Sequence, residues 1–332
     1  MADSPYYILS TDIGSDVDDA LALLLALKIP LPNLLAIIVD YNPEIIDIRA
    51  KIAKKMCNLA NRPDIIVAMA TGESHDEMPH NWKFGQEGEG FLSQEDLAAE
   101  DEEFGIKTNG INTITKICEP ITASIEIICI GPFSAIASIF KHSPKIKEKI
   151  SKIWFMGAGI AYPDKIENYL PLVVDRQYEV NISHNLLCDI EAARVVLASR
   201  IPITFIGNDV TSRVSLRRAD FSRFLQQNHP LTDGIVAMLK IWFDYRQENM
   251  IERNFGEFVA YNETSLHDPL TIAEAFGKEF CSYQPIEILE MNYCQIILKH
   301  VSSSIYNLAV TVDANQFENW FLDVVAPKSE SE

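Results

Sequence analysis

The segment Ser10-Thr11-Asp12-Ile13-Gly14-Ser15-Asp16-Val17-Asp18-Asp19-Ala20 places four aspartates within eight positions. Carboxylates this close repel one another unless a cation shares them, and an all-oxygen set is the environment that calcium or magnesium takes. An acidic residue at a helix start favours the helix dipole and can cap it, which accounts for one or two of the four but not for the crowd. The segment is a candidate metal or catalytic site, with a solvated turn as the plainer alternative. A second pair stands at Leu266-His267-Asp268-Pro269-Leu270, where an imidazole and a carboxylate adjoin at the start of an apolar helical run. They supply a potential acid and a potential metal ligand, although a lone histidine is more commonly a satisfied structural residue.

Familiar loops do not fit the aspartates. An EF-hand starting at Asp12 needs Gly at its sixth position and Glu at its twelfth, and this chain has Val17 and Leu23 there. A haloacid-dehalogenase-type phosphatase needs a carboxylate nucleophile two residues before Asp12, where Ser10 stands. Gly14 alone makes no glycine-rich phosphate loop.

The elements that must position these residues follow from apolar patterning. Strand-like runs occur at Tyr6 to Thr11, Leu34 to Val39, Ile65 to Ala68, Ile125 to Ile130, Ile153 to Met156 and Ile203 to Ile206. Helical stretches lie between or after them at Ala20 to Leu27, Glu44 to Ala60 and Asp189 to Ser199, the last with Asp189 as N-cap. The runs are continuously apolar and alternate with helices, which predicts an open, mostly parallel α/β sheet covered on both faces. In such sheets ligands bind beyond the carboxyl ends of the strands, where the aspartates fall. Two stretches break the rhythm. Residues 71–105 are polar, with Trp82, Phe84 and Phe91 interspersed, and read as a loop or flap over the site. Residues 216–262 are helical in pattern, with aromatic residues at Trp242, Phe243, Tyr245 and Phe255 that suit core packing or a ligand.

The 332 residues suffice for a large core, and with no obvious linker or repeat the chain reads as one domain over 1–332. A formal charge of −19 argues against nucleic acid as partner. Lys145, Lys147, Lys149 and Lys152 read as one solvated helix face. Six cysteines without a CxxC pair read as reduced residues of a cytoplasmic protein. Neither a basic-then-apolar leader nor an apolar run of the roughly 18 residues needed for a span is present, so no membrane partner is expected. Ser329 to Glu332 reads as a frayed tail.

Taken in order, several segments resemble the nucleoside hydrolase family, the inosine-uridine-preferring N-ribohydrolases. Asp18-Asp19-Ala20-Leu21-Ala22 is similar to the end of the family's aspartate motif, and Gly131-Pro132-Phe133-Ser134 to its Gly-Pro-Leu-Thr turn. Asn185 through Asp189-Ile190-Glu191-Ala192-Ala193-Arg194 resembles its Asn-x-x-x-Asp-Pro-Glu-Ala-Ala-Arg segment, and Asn208-Asp209-Val210-Thr211 its Leu-Asp-Val-Thr segment. His267 to Leu270 matches the His-Asp-Pro-Leu motif intact. The resemblance spans almost the whole chain.

It implies a nucleosidase that hydrolyses the N-glycosidic bond of a ribonucleoside or related N-riboside with Ca2+ as cofactor. Asp12, Asp19, Asp268 and the main-chain carbonyl of Ile130 would hold the metal, with Asp12 also the general base. Asp18, Asn42 and Asn185 would bind ribose, and His267 would protonate or polarise the leaving base. A dimer or tetramer of such chains is implied as well. The departures are Ser10, where the family begins its motif with Asp, two extra residues that bring in Asp16, and Ser183, where a Glu commonly holds the ribose 5′-hydroxyl. A second register pairs Glu179 and Asn181 with that motif but forces a four-residue insertion, so the gapless register is preferred. Without that Glu, an unmatched hydroxyl costs on the order of 1.5 to 3 kcal/mol, and a substrate altered at its 5′ end becomes admissible. The alternative function is a non-catalytic descendant that binds a ligand or partner on the same scaffold.

Overall fold

In the computed structural model, residues 5–29, 33–40, 42, 44–70, 83–160, 172–249 and 262–328 are described. Twelve strands form one sheet in the order β4-β3-β2-β1-β5-β6-β9-β14-β12-β13-β8-β7. They are β1 (Tyr6–Thr11), β2 (Leu34–Val39), β3 (Ile66–Met69), β4 (Ile106–Lys107), β5 (Ile125–Cys129), β6 (Ile150–Met156), β7 (Gly159–Ile160), β8 (Gln177–Ile182), β9 (Ile203–Ile206), β12 (Cys281–Met291), β13 (Gln295–His300) and β14 (Tyr306–Val312). From β4 to β14 every neighbouring pair is parallel, and from β14 onward the pairs are antiparallel. A separate antiparallel pair joins β10 (Ser215–Arg217) to β11 (Glu263–Ser265).

The parallel half takes its form from residues that are apolar on both faces. In β1, Leu9 packs to one side with Ile37 and Val39 of β2, while Ile8 packs to the other with Ala36 and Ile38. Burying such side chains contributes about 1.5 to 3 kcal/mol each, and only a sheet covered on both sides realises it at successive positions. One cover includes α1 (Asp18–Lys28), α2 (Ile46–Leu59), α5 (Pro230–Asn249) and α6 (His267–Ala275); the other includes α3 (Ser134–His142) and α4 (Ile190–Ala198). Helix α6 packs directly on α1, which brings His267 and Asp268 beside the aspartate loop.

Several boundaries match the sequence reading, and Asp189 caps α4 by accepting from the Ala192 N–H at 2.9 Å. The lysine reading is corrected. Residues Pro144–Lys149 form a short 3-10 helix and Lys152 lies in β6, with Lys149 donating to the carbonyls of Cys118 and Ile121 and Lys152 over the Trp154 ring. Lys149 and Lys152 are thus spent on a helix end and an aromatic face, while Lys145 stays exposed. Of the 71–105 stretch, residues 83–105 are described and include two short helices, Gln94–Ala98 and Asp101–Phe104; Trp82 lies outside the described residues. Phe255 and Ser329 to Glu332 also lie outside them. Among the described residues no helix is long and apolar enough to cross a membrane.

Candidate active site

Beyond the carboxyl ends of β1 and β5 a cavity of about 350 Å³ opens, lined by Asp12, Asp16, Asp18, Asp19 and Asp268 together with Ile130, Asn185 and His267. Its acidic floor begins where β1 ends. The Thr11 hydroxyl donates to Asp19 Oδ1 and accepts from the Ile13 N–H at 3.1 Å, pinning the loop to the first turn of α1. Gly14, at φ 123°, makes the turn in a backbone region that side chains disfavour. Asp12 is fitted against the β5 turn: a Cβ on Gly131 would lie 2.7 Å from Asp12 Oδ1, so only glycine leaves that carboxylate its place.

The capping reading of the aspartates is corrected. The N-cap of α1 is Val17, with no side-chain cap bond, although Asp18 and Asp19 occupy the first turn and favour its dipole. Asp16, Asp18 and Asp19 each offer an oxygen within 4.8 Å of the others. Burial, then the charge of Asp12, pushes the Asp16 carboxyl up to about 6. Burial and the neighbouring aspartates likewise push Asp18, Asp19 and Asp268 well above the ordinary carboxylate range, and Asp268 feels all four loop aspartates from 250 residues away in sequence. Such groups stay protonated, repel, or share a cation. The donor set is hard oxygen throughout, so the chemistry fits calcium or magnesium. The trio includes Asp16, which the sequence reading left outside the metal set.

The sugar side is built by the segment after β8. Ser183, His184 and Asn185 line the cavity, whereas Glu179 and Asn181 are exposed on β8 and pair with β13. The gapless register is therefore the one whose residues reach the site. Asn185 donates to the carbonyls of Ile130 at 2.9 Å and Met156 at 3.1 Å, using both amide hydrogens. That bond takes one lone pair of the Ile130 carbonyl and leaves the other. Ser183 is buried, with its hydroxyl accepting from the Ala158 N–H at 3.2 Å. Asn42 is buried and is not among the described residues that line the cavity; its side-chain oxygen accepts from the Glu44 N–H at 3.0 Å at the approach to α2.

Sequence reasoning missed the scaffold carboxylate Asp40 and read Asp189 only as a helix cap. Asp40 accepts from the Ala135 N–H at 3.1 Å at the start of α3, and Asp189 accepts from Ser134 at 2.8 Å as well as capping α4. Each fixes the Gly131 turn that carries Ile130. A carboxylate immediately after a strand was the available signal for Asp40.

The opposite end of the cavity is aromatic and basic. Phe84, Trp242, Arg246 and Thr264 line it with His267. The adjacent pair on α5 divides its work: Phe243 is fully buried in the core, while Trp242 faces the cavity and donates to Thr264 Oγ1 at 2.9 Å. Phe84 packs against Tyr245 and Trp242, with ring centroids at 4.6 and 5.4 Å. Its segment is tied to the aspartate loop through Glu87, which accepts from the N–H groups of Phe84 and Gly85 and, at 3.1 Å, from the Ser15 hydroxyl. The Thr211 hydroxyl is 2.7 Å from His267 Nδ1. Burial, then the charge of Arg246, lowers the His267 imidazole to about 4.

Residues 7–319 match the family profile described as inosine-uridine preferring nucleoside hydrolase. The chain is 26% identical over 267 residues to the pyrimidine-specific ribonucleoside hydrolase RihA of Enterobacter sp. (strain 638), covering 80% of this chain and 77% of that one. Among solved structures, a purine-preferring ribonucleoside hydrolase from Gardnerella vaginalis shares the fold at a TM-score of 0.72 and 21% identity, covering 97% of this chain and 98% of its own. An inosine-uridine preferring nucleoside hydrolase from Bacillus anthracis superposes at a TM-score of 0.68 and 14% identity, covering 98% of this chain and 100% of its own.

Proposed function

The chain belongs to the inosine-uridine preferring nucleoside hydrolase family, and on that premise we propose that it hydrolyses the N-glycosidic bond of a ribonucleoside, releasing base and ribose, with calcium as cofactor. One observation carries the reading: five carboxylates, four from the loop after β1 and one from the start of α6, converge in a single cavity, and Asp16, Asp18, Asp19 and Asp268 among them have raised proton affinities. A scaffold without chemistry has no use for such a costly group. Asp12, Asp19, Asp268 and the Ile130 carbonyl would hold the ion. When bound, it supplies charge that polarises a water and grips the ribose diol.

The remaining work falls to the chain. Asp12 takes the proton of the attacking water, a contribution of typically about 10²- to 10⁴-fold. Asp18 accepts from the ribose 2′-hydroxyl. Asn185, with both amide hydrogens spent on main-chain carbonyls, has its side-chain oxygen left to accept from a second ribose hydroxyl. The Thr211 hydroxyl beside Nδ1 suits the tautomer in which His267 would carry its proton on Nε2 and polarise the leaving base as a neutral imidazole. Asn42, which also accepts from Glu44 at the turn into α2, would bind ribose alongside them.

The single sheet running from β1 to β14 supports one domain over 1–332. Six free thiols support a cytoplasmic site of action, and the net acidity supports a small-molecule substrate rather than nucleic acid. A dimer or tetramer is the assembly expected of the family and is read by light scattering. The deciding experiment is reducing-sugar release from a mixed nucleoside panel, with and without a calcium chelator. Release that the chelator stops and calcium restores is the expected result; no release from any nucleoside by calcium-loaded protein overturns the proposal.

A further inference from the structure

The two ends of the cavity carry opposite charge. Five aspartates form one end; at the other, Arg246 lines the wall one helical turn beyond Trp242 on α5. Both α5 residues are anchored to β11, Trp242 through Thr264 Oγ1 and Arg246 through a bond from Nη1 to the Glu263 carbonyl. Arg246 is buried, and among the described residues no carboxylate lies within ion-pair distance of it. A guanidinium has five N–H donors, and the bond to Glu263 uses one. An ion kept from water and left without a counter-charge is costly unless something that enters the cavity completes it. The cavity aspartates do not do so, because none of them lies within ion-pair distance of the guanidinium.

That polarity matches one bond cleavage. When the N-glycosidic bond breaks, its electron pair stays on the base nitrogen and the sugar carbon becomes electron-poor. The carbon sits toward the carboxylates, forms its new bond to the water oxygen, and the water's proton passes to Asp12. The base moves off with the extra pair at the aromatic, cationic end. A guanidinium stays protonated at any working pH, so it gives the base hydrogen bonds and charge but no proton; the departing anion takes its proton from bulk water after release. We infer that Arg246 receives the negative charge of the departing base, and so restricts the enzyme to N-ribosides whose base is uncharged when bound and leaves as an anion. Cationic N-ribosides meet a like charge at the same place and are poor substrates. This assignment rests on the nucleosidase reading and names the class of base that the site accepts.

The test compares wild type, Arg246→Met and Arg246→Lys on uridine, inosine, p-nitrophenyl riboside and the cationic nicotinamide riboside, with calcium affinity measured by calorimetry. Arg246→Met should lower kcat on uridine and inosine on the order of 10²- to 10³-fold, as loss of one charge-stabilising donor does. On p-nitrophenyl riboside, whose leaving group needs no help, the loss should stay within about fivefold. Arg246→Lys, which keeps the charge but not the fork, should fall between the two. Wild type should disfavour nicotinamide riboside relative to uridine, and the gap should narrow in Arg246→Met. Should Arg246→Met fail to fold, the uridine to nitrophenyl ratio of Arg246→Lys decides alone, a ratio equal to that of wild type overturning the inference. Equal loss on uridine and nitrophenyl riboside with calcium affinity intact also overturns it. A wild type that binds calcium yet cleaves no nucleoside sinks the nucleosidase reading itself, a result distinct from an active wild type indifferent to Arg246.

Discussion

The acidic and the aromatic ends of the cavity are built on different terms. The acidic end comes from one short loop between β1 and α1, closed by a single residue at the start of α6, and all its supports are packed secondary structure. The aromatic end draws on a segment after residue 83, the last turns of α5, and β11, joined by side-chain bonds as well as by ring packing. Holding an ion demands fixed oxygens, and rigid elements give them. Accepting a base demands a flat, apolar slot, and segments from distant parts of the chain supply that. The difference predicts that substitutions at the acidic end abolish activity outright, while those at the aromatic end redistribute it among substrates.

The largest effect tests the acidic end. Asp19→Ala should abolish calcium binding in calorimetry and lower kcat/KM on any nucleoside by on the order of 10⁴-fold, the several kcal/mol that metal chemistry contributes. Unchanged calcium affinity breaks the comparison at its root. Next, His267→Ala should cost about 10²-fold in kcat on uridine and far less on p-nitrophenyl riboside, since only a poor leaving base needs an imidazole donor. Equal losses remove His267 from that role and assign it to the floor with its neighbour Asp268. Smaller again is Glu87→Gln, which weakens bonds worth roughly 1.5 to 3 kcal/mol when the acceptor is charged. It should raise KM for nucleosides about tenfold with kcat little changed; a change in kcat alone would show that Phe84 does not depend on it.

The smallest expected effect is a stability difference with pH. Asp16, held up to about 6, and Asp18, Asp19 and Asp268, held higher than their ordinary 3.8, keep protons in the folded protein that the unfolded chain gives up. Raising the pH above that ordinary value therefore favours the unfolded state of the metal-free protein. His267 acts in the opposite sense between about 4 and its ordinary 6.5, because there the unfolded chain binds the proton. Above that window only the carboxylates count. Calcium displaces their protons, so its gain in Tm should be larger near pH 7.5 than near pH 5.5. An equal gain at both values would mean that those carboxylates are not the ligands.

The same contrast explains what could be read from the chain. Aspartates between two apolar runs are chemically out of place, and that discord is visible without coordinates. The strands β1, β2 and β9 were legible because burial on both faces leaves no polar residue among their core positions but Ser10 and threonines. Trp242 and Arg246 carried no such mark: a tryptophan beside a phenylalanine on a helix looks the same whether it faces the core or a cavity. Which one turns inward is set by where α5 lies on the sheet. The wing of β8, β12 and β13 was equally silent, because its strands bury at most alternate residues and β12 contains Pro285. Yet that wing leads into the turn of Ser183 and Asn185, which line the cavity in keeping with the gapless register that residue counting preferred.

Glu87 has a consequence for the order of events in catalysis. Its carboxylate is bonded at once to Ser15, next to Asp16, and to the backbone of Phe84. Through this tie a change of charge in the aspartate loop would be passed to the aromatic wall. On the proposed reading the cation would load before the nucleoside, so that protein short of calcium would spare its substrates rather than bind them unproductively.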